Sequence, residues 1–134
     1  MWRDLERICA AEGIPLERPS RFPRSGLAAA RVACRFADEP WLPAFVRAVY
    51  DANFARDLEI SEPAVLAACL ERAGQAPAPI LAAASEDTAK SALRAQTEHA
   101  VKLGLFGAPS FVTPDGELFW GNDRLEDALA WRAG

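Results

Sequence analysis

One short stretch constrains this chain more than any other. Ala108 to Trp120 reads as a pair of strands in a sequence that otherwise reads as helix. Ala108-Pro109-Ser110-Phe111-Val112 has strand character, Thr113-Pro114-Asp115-Gly116 carries turn chemistry, and Glu117-Leu118-Phe119-Trp120 returns. Proline presets φ in such a turn and glycine accepts a positive φ, so the stretch predicts a β-hairpin. Two strands alone are marginal in water and leave backbone donors and acceptors unpaired on both sides. The sheet therefore needs completing, and apart from Leu16 to Arg18 the sequence offers no further segment with strand character.

The remainder favours helices. Alanine, the best helix former, supplies 28 of the 134 residues. Trp2, Leu5, Ile8 and Cys9 recur at helical spacing; Gly13 ends that helix and Pro15 prevents its resumption. Leu16 to Pro23 reads as extended. Ser25 is a candidate N-cap for an alanine-rich helix from Gly26 to about Phe36. Asp38 or Glu39 opens the next, with Pro40 in its first turn and Trp41, Phe45, Val49 and Phe54 on its apolar side. Ser61 caps a helix with Pro63 in its first turn and Val65, Leu66, Cys69 and Leu70 as its stripe; Gly74 follows its end. Gln75 to Pro79 reads as loop and Pro79 to Ala84 as a short helix. Ser85 with Glu86 and Asp87 starts a long helix to about Leu103, because acids suit its positive N-terminal end. After the hairpin, Gly121-Asn122-Asp123 caps a last helix from Arg124 to about Trp131, with Leu125, Ala128 and Leu129 inward.

Composition narrows the function classes. A chain of 51% hydrophobic residues with net charge −4 is too apolar for disorder and too acidic for a nucleic-acid surface or an anionic membrane as main partner. No apolar run approaches the ~18 residues of a membrane span. The charged start, Met1-Trp2-Arg3-Asp4-Leu5-Glu6-Arg7, does not read as a signal peptide, so a cytoplasmic protein is expected. Cys9, Cys34 and Cys69 form no C-x-x-C and support neither a disulfide framework nor a zinc site; small buried hydrophobes are the expectation for all three.

Two places invite chemistry. A proline opening a strand after small residues suits a cis Ala108–Pro109 bond, which would free the Ala108 backbone to pair with a ligand's backbone; the alternative is an ordinary strand-entry proline. Asn122 and Asp123, at a helix start, can hold an α-amino-carboxylate through side chains and free N–H groups; the alternative is a plain N-cap. His99, the sole histidine, reads as exposed or partly packed rather than as a general base. Tyr50 and Trp41 read as core aromatics, with an aromatic substrate pocket as the alternative.

Gly104-Leu105-Phe106-Gly107-Ala108-Pro109-Ser110-Phe111, followed by Phe119-Trp120-Gly121-Asn122-Asp123-Arg124-Leu125, resembles the C-terminal signature of 2-hydroxychromene-2-carboxylate isomerases, which belong with kappa-class glutathione transferases in the DsbA-like thioredoxin superfamily. Trp2 to Arg7 resembles the family's Asp-x-x-Arg helix, and Gly13-Ile14-Pro15 with Arg21-Phe22-Pro23 its glycine-plus-proline passage. The resemblance spans Met1 to Trp131; its tail motif is specific and its middle helices are not.

It implies an α/β, mostly helical fold: an incomplete thioredoxin-like fold, with a C-terminal β-hairpin plus helix and a helical insertion domain. Within one domain, residues 1–24 form a helix and extended passage, 25–103 the helical insertion and 104–134 the thioredoxin-like hairpin and helix. It implies glutathione as cofactor, with Ala108 and Pro109 at its cysteinyl backbone, Asn122 and Asp123 at its γ-glutamyl end, and Arg124 structural. The family reaction opens a chromene hemiketal and isomerises a double bond by adding the glutathione thiolate, rotating a bond and eliminating.

Two departures follow. The family begins with a strand-helix-strand unit bearing a thiol-activating Ser-Pro, a unit of ~30 or more residues with no counterpart in this sequence. The expectation is thus a chain that keeps the tripeptide cradle but is a poor catalyst as written. Ser25 also stands where the family often has Asn; it is open as cap or as assistant at the thiol. The expected partners are glutathione, an aromatic small-molecule substrate and a second copy in a homodimer. The alternatives are a non-catalytic, dimeric helical interaction module and a fragment of a DsbA-like thiol-disulfide oxidoreductase, whose C-x-x-C would lie in the unit that has no counterpart here.

Overall fold

The computed structural model describes residues 1–133. They form two compact units, Met1–Leu93 and the residues from Arg94 onward, with the division falling inside one helix.

The first unit is helical. Helix α1 (Trp2–Glu12) stops at Gly13, whose left-handed φ of 66° and N–H bond to the Cys9 carbonyl close its last turn. α1 contains no fully buried residue. Its Trp2 ring meets Phe22 edge-on at 5.0 Å, and the Arg18 guanidinium lies 5.1 Å from the centre of the same ring. The passage after α1 is tied to the end of α3 by the Glu17 N–H, which bonds the Phe54 carbonyl at 2.6 Å. Helix α2 (Leu27–Arg35) follows with Gly26, not Ser25, as its N-cap. The Ser25 hydroxyl reaches the Leu27 N–H only at 3.5 Å, too long to act as an effective cap.

Helix α3 (Leu42–Phe54) begins three residues later than the Asp38-Glu39 signal implied. The reason is Pro43. In a helix starting at Glu39 its ring would meet the Glu39 carbonyl, whereas in the first turn of α3 its missing N–H costs nothing. Helix α4 (Pro63–Arg72) has Glu62 as N-cap, since Pro63 takes the first helical position; the Ser61 hydroxyl donates instead to Glu59 at 2.8 Å. Helix α5 (Pro77–Ser85) absorbs part of the expected Gln75–Pro79 loop, because Pro77 and Pro79 both fall in a first turn, where N–H groups are unpaired anyway. Helix α6 (Asp87–Lys102) ends before Gly104, as anticipated.

α3 packs on α4, α2 on α5 and α4 on α5. The shared core is Val32 from α2; Phe45, Ala48, Val49 and Ala52 from α3; Ile60; Leu66, Cys69 and Leu70 from α4; and Ala84 from α5. The three cysteines are free: Cys69 is buried, which pushes its thiol pKa up, while Cys9 and Cys34 are half-buried.

In the second unit, β1 (Ser110–Val112) and β2 (Leu118–Trp120) pair antiparallel with Phe111 opposite Phe119. Among the described residues the sheet has these two strands alone. A 3-10 turn, Asn122–Arg124, leads into helix α7 (Leu125–Ala133). α7 buries Ala128, but Leu125 and Leu129, expected inward, are 40% and 55% exposed. No helix among the described residues is long and apolar enough to cross a membrane.

Candidate functional site

The predicted ligand-binding residues lie at one end of the hairpin. The Ala108–Pro109 peptide is cis. The Gly121 N–H donates to the Pro109 carbonyl at 3.0 Å, one step beyond the Ser110–Trp120 pair. That bond ties the entry of β1 to the exit of β2, and so brings Ala108 and Pro109 to the end of the hairpin that carries Asn122 and Asp123.

The loop before β1 is shaped by residues the sequence did not single out. The Ser110 hydroxyl donates to the Gly107 carbonyl at 2.6 Å. The Trp120 indole lies flush against the Gly107 backbone: a methyl group on Gly107 would fall within contact of Nε1 and 3.1 Å from Cε2. Phe106 packs on the same indole at a tilt of 57°, with ring centres 5.0 Å apart. Such a restriction on residue type is invisible in sequence, because it depends on which ring the hairpin register delivers.

Ala108 is exposed, and neither its N–H nor its carbonyl pairs with the backbone of another described residue. Asn122 and Asp123 are exposed too, and no side chain caps the turn they begin. The Asp123 carboxylate folds back over Gly121, where an added Cβ would lie 2.6 Å from Oδ1. Gly121 has φ 120°, which L side chains rarely adopt, so the backbone conformation is what calls for glycine here. Arg124 pairs with Asp127 at 2.8 Å, a structural engagement that raises its already high pKa. The corner thus offers one free backbone N–H and C=O at Ala108, a carboxylate, an amide and the N–H groups of a helix start. At the far end of the hairpin Asp115 accepts from the Thr113 hydroxyl and, at 2.8 Å, from the Trp131 indole; these bonds, the Thr113 one foremost, lower its pKa.

The first unit holds a separate feature, a cleft of about 290 Å³ between α2 and α3, walled by Gly26, Ala29, Ala33, Val49, Tyr50 and Asn53 among others. Tyr50 stands in its wall, 63% exposed, stacked on Phe54 at 6.1 Å. Trp41, the other candidate pocket aromatic, packs between Phe36 and Phe45 instead.

Beside the cleft, Arg24 is buried, its side chain 3% exposed. Its guanidinium donates to Asn53 Oδ1 at 3.1 Å, to the Ser20 hydroxyl at 3.3 Å, to the Asp57 carbonyl at 3.3 Å and to the Asp57 carboxylate. Glu59 lies 3.6 Å from its Nε. Asp57 has φ 50° and a pKa lowered to about 2, first by the Ser20 N–H and then by Arg24. Sequence patterning missed this group because Arg24 sits in no periodic element. Ser25 and the exposed His99 touch none of these groups in the bonds described, and no three His, Cys, Asp or Glu side chains among the described residues are grouped to hold a metal ion.

Comparison with known proteins agrees with this architecture. Residues 1–130 match the DsbA-like thioredoxin domain. A 2-hydroxychromene-2-carboxylate isomerase from Sphingobium xenophagum is 30% identical over 126 residues, 94% of this chain and 63% of that protein. A solved structure of a 2-hydroxychromene-2-carboxylate isomerase superposes with a TM-score of 0.72 at 26% identity, covering 97% of this chain and 63% of the other. The chain therefore spans a little under two thirds of the relatives it matches. With nearly its whole length accounted for by one domain type, the chain belongs to the DsbA-like thioredoxin domain family.

Proposed function

We propose that the protein is a glutathione-dependent isomerase acting on an aromatic-derived chromene carboxylate. The observation that carries this reading is the polar corner formed by Ala108, Asn122 and Asp123, taken with the likeness to 2-hydroxychromene-2-carboxylate isomerase. The donor set fits the tripeptide. Antiparallel pairing to a peptide backbone takes one N–H and one C=O from a single residue, and Ala108 has both unengaged. An α-amino-carboxylate takes a carboxylate for its ammonium and N–H donors for its carboxylate, which Asp123 and the helix start supply. Pro109 and Gly121 hold these groups at one end of the hairpin. When bound, glutathione supplies a thiol nucleophile. The residues described here bind and orient it; none of them is assigned the activation of its sulfur.

Titration of the chain with millimolar glutathione, followed by NMR, tests the reading. Shifts are expected at Ala108, Asn122 and Asp123. Loss of a charged hydrogen bond costs about 1.5–3 kcal/mol, so Asp123→Ala should weaken binding roughly ten- to hundredfold. Absence of binding, or an unchanged affinity in both Asn122→Ala and Asp123→Ala, would overturn the assignment.

We also infer a homodimer, supported by the open edges of the two-stranded sheet and by exposed Val112, Trp120 and Leu129 beside them. A monomeric mass in analytical ultracentrifugation at high concentration would refute it.

A further inference from the structure

Two buried side-chain polar atoms among the described residues lack a hydrogen-bond partner, and both are arginine Nε atoms, those of Arg24 and Arg31. For Arg24 the chain still answers the charge: Glu59 lies 3.6 Å from that Nε, and the Asp57 carboxylate accepts from another of its nitrogens. Arg31 has no such relief. Its side chain forms no ion pair and no hydrogen bond with any described residue. A guanidinium keeps its charge in proteins and carries only donors. Withdrawing part of it from water without an acceptor is costly.

Arg31 stands in the wall of a cleft of about 100 Å³ where α2, α5 and the start of α4 meet, on the opposite side of α2 from Ala29, Ala33 and the cleft they line. Leu66, Leu81 and Ala84 form its apolar wall. Leu66 and Ala84 belong to the shared core, so that wall is fixed before anything binds. Two hydroxyls also line it, and both have already given their protons away: Ser61 to Glu59 and Ser85 to the Leu81 carbonyl, each at 2.8 Å. The Glu59 charge is met in turn by Arg21 at 3.4 Å and by Arg24. What the cleft presents is one unanswered positive charge, shaped as a planar fork of donors, against mainly apolar walls.

We propose that this cleft binds a small monocarboxylate with a short aliphatic body, its carboxylate on the Arg31 guanidinium and its alkyl group against Leu66, Leu81 and Ala84. One unpaired guanidinium matches one carboxylate in charge and in geometry, since two parallel N–H···O bonds suit the planar fork. A phosphate dianion fits less well, because it asks for further donors and the serine protons are committed. Size sets the other limit. A cleft of about 100 Å³ lies below the ~300–1,000 Å³ usual for drug-sized ligands, so it takes an acid of a few carbons.

The test uses the full chain without glutathione, so its outcome and that of the glutathione reading are separate. The probes are isobutyrate, isobutyramide, which has the same shape and no charge, and inorganic phosphate, each titrated to tens of millimolar. Isobutyrate should shift the Arg31 Nε–H resonance saturably and bind roughly ten- to hundredfold more tightly than isobutyramide, the range of one charged hydrogen bond. Arg31→Gln removes the charge and should bring the two affinities together. Arg31→Lys keeps the charge without the fork and should keep part of the preference. A merely structural role for Arg31 would change the stability of these variants in urea and give no saturable isobutyrate shift in the wild-type chain. The proposal is overturned if isobutyrate gives no saturable shift at Arg31, if isobutyramide or phosphate binds there as tightly, or if Arg31→Gln keeps the preference. The three probes on the wild-type chain decide the matter even if neither variant folds.

Discussion

At the scale of single residues, the strongest determinants are those that no periodicity reveals. Arg24 lies between helices, and its importance comes from being buried against Asp57, Asn53 and Ser20. Its acid partner gives a pH signature. The Ser20 N–H, then Arg24 and the Ser20 hydroxyl, lower the Asp57 pKa from 3.8 to about 2 in the folded chain. A depressed folded pKa adds stability that is complete above the unfolded value and disappears as pH falls through the folded one. Asp57→Asn tolerates the positive φ and lacks the charge. The stability gap between wild type and Asp57→Asn, measured by urea denaturation, should be largest at neutral pH and close between about pH 4 and about pH 2. A gap independent of pH in that window would show that the carboxylate's charge contributes nothing. Gly107 offers a second test. Because the Trp120 indole lies against it and is itself 54% exposed, Gly107→Ala should push that ring aside and shift the tryptophan emission, at a stability cost within about 0.5 kcal/mol. The glycine itself was plain in sequence; the ring that lies against it was not. For the same reason the candidate corner was half legible: the residue types at Ala108–Pro109 and Asn122–Asp123 stood out in sequence, and the cis Ala108–Pro109 bond fits that reading, but the absence of a capping bond at that turn came only with the coordinates.

At the scale of elements, the helices and the hairpin were legible because proline, glycine and apolar spacing are local signals. The boundaries that moved did so where prolines cluster. Pro43 delays α3, and Pro77 advances α5, because each ring is acceptable in a first turn and damaging beyond it. What spacing cannot disclose is which apolar face finds a cover. The stripes of α1 and α4 look alike in sequence, yet Leu70 of α4 is 0% exposed while Ile8 of α1 is 50% exposed. Leu70→Ala should therefore cost about 2–5 kcal/mol by opening a cavity in the shared core. Ile8→Ala should stay within about 0.5 kcal/mol. Denaturant unfolding of the two variants under identical conditions checks the pair, and equal losses would mean that α1 is covered in solution. Leu125 and Leu129 of α7 repeat the lesson: their spacing points inward, but a sheet of two short strands is too narrow to bury more than Ala128.

At the scale of the whole molecule, burial is distributed unevenly between the two units, and stability should be distributed in the same way. The first unit closes ten buried residues from four helices and the α3–α4 connection into one core. In the second unit the fully buried side chains among the described residues are Thr113 and Ala128, and both strands are at best half-buried. A two-stranded sheet with open edges has little to oppose its fraying. Regions with few buried apolar contacts and solvent-exposed backbone bonds open with lower free energy than a packed core. Native-state hydrogen exchange should thus find the amides of β1 and β2 exchanging through a lower-energy opening than those of α3 and α4 around Phe45, Val49, Leu66 and Leu70. Denaturant should leave that opening nearly unchanged, because a local event exposes little surface, while the α3–α4 amides follow global unfolding. If the proposed glutathione site is correct, adding glutathione should raise the protection of the hairpin selectively, since a ligand held by Ala108, Asn122 and Asp123 would stabilise the closed form of the unit that carries them. One common opening free energy for all these amides would mean that the chain unfolds as a single cooperative body, and that the hairpin draws its stability from more than its own two strands.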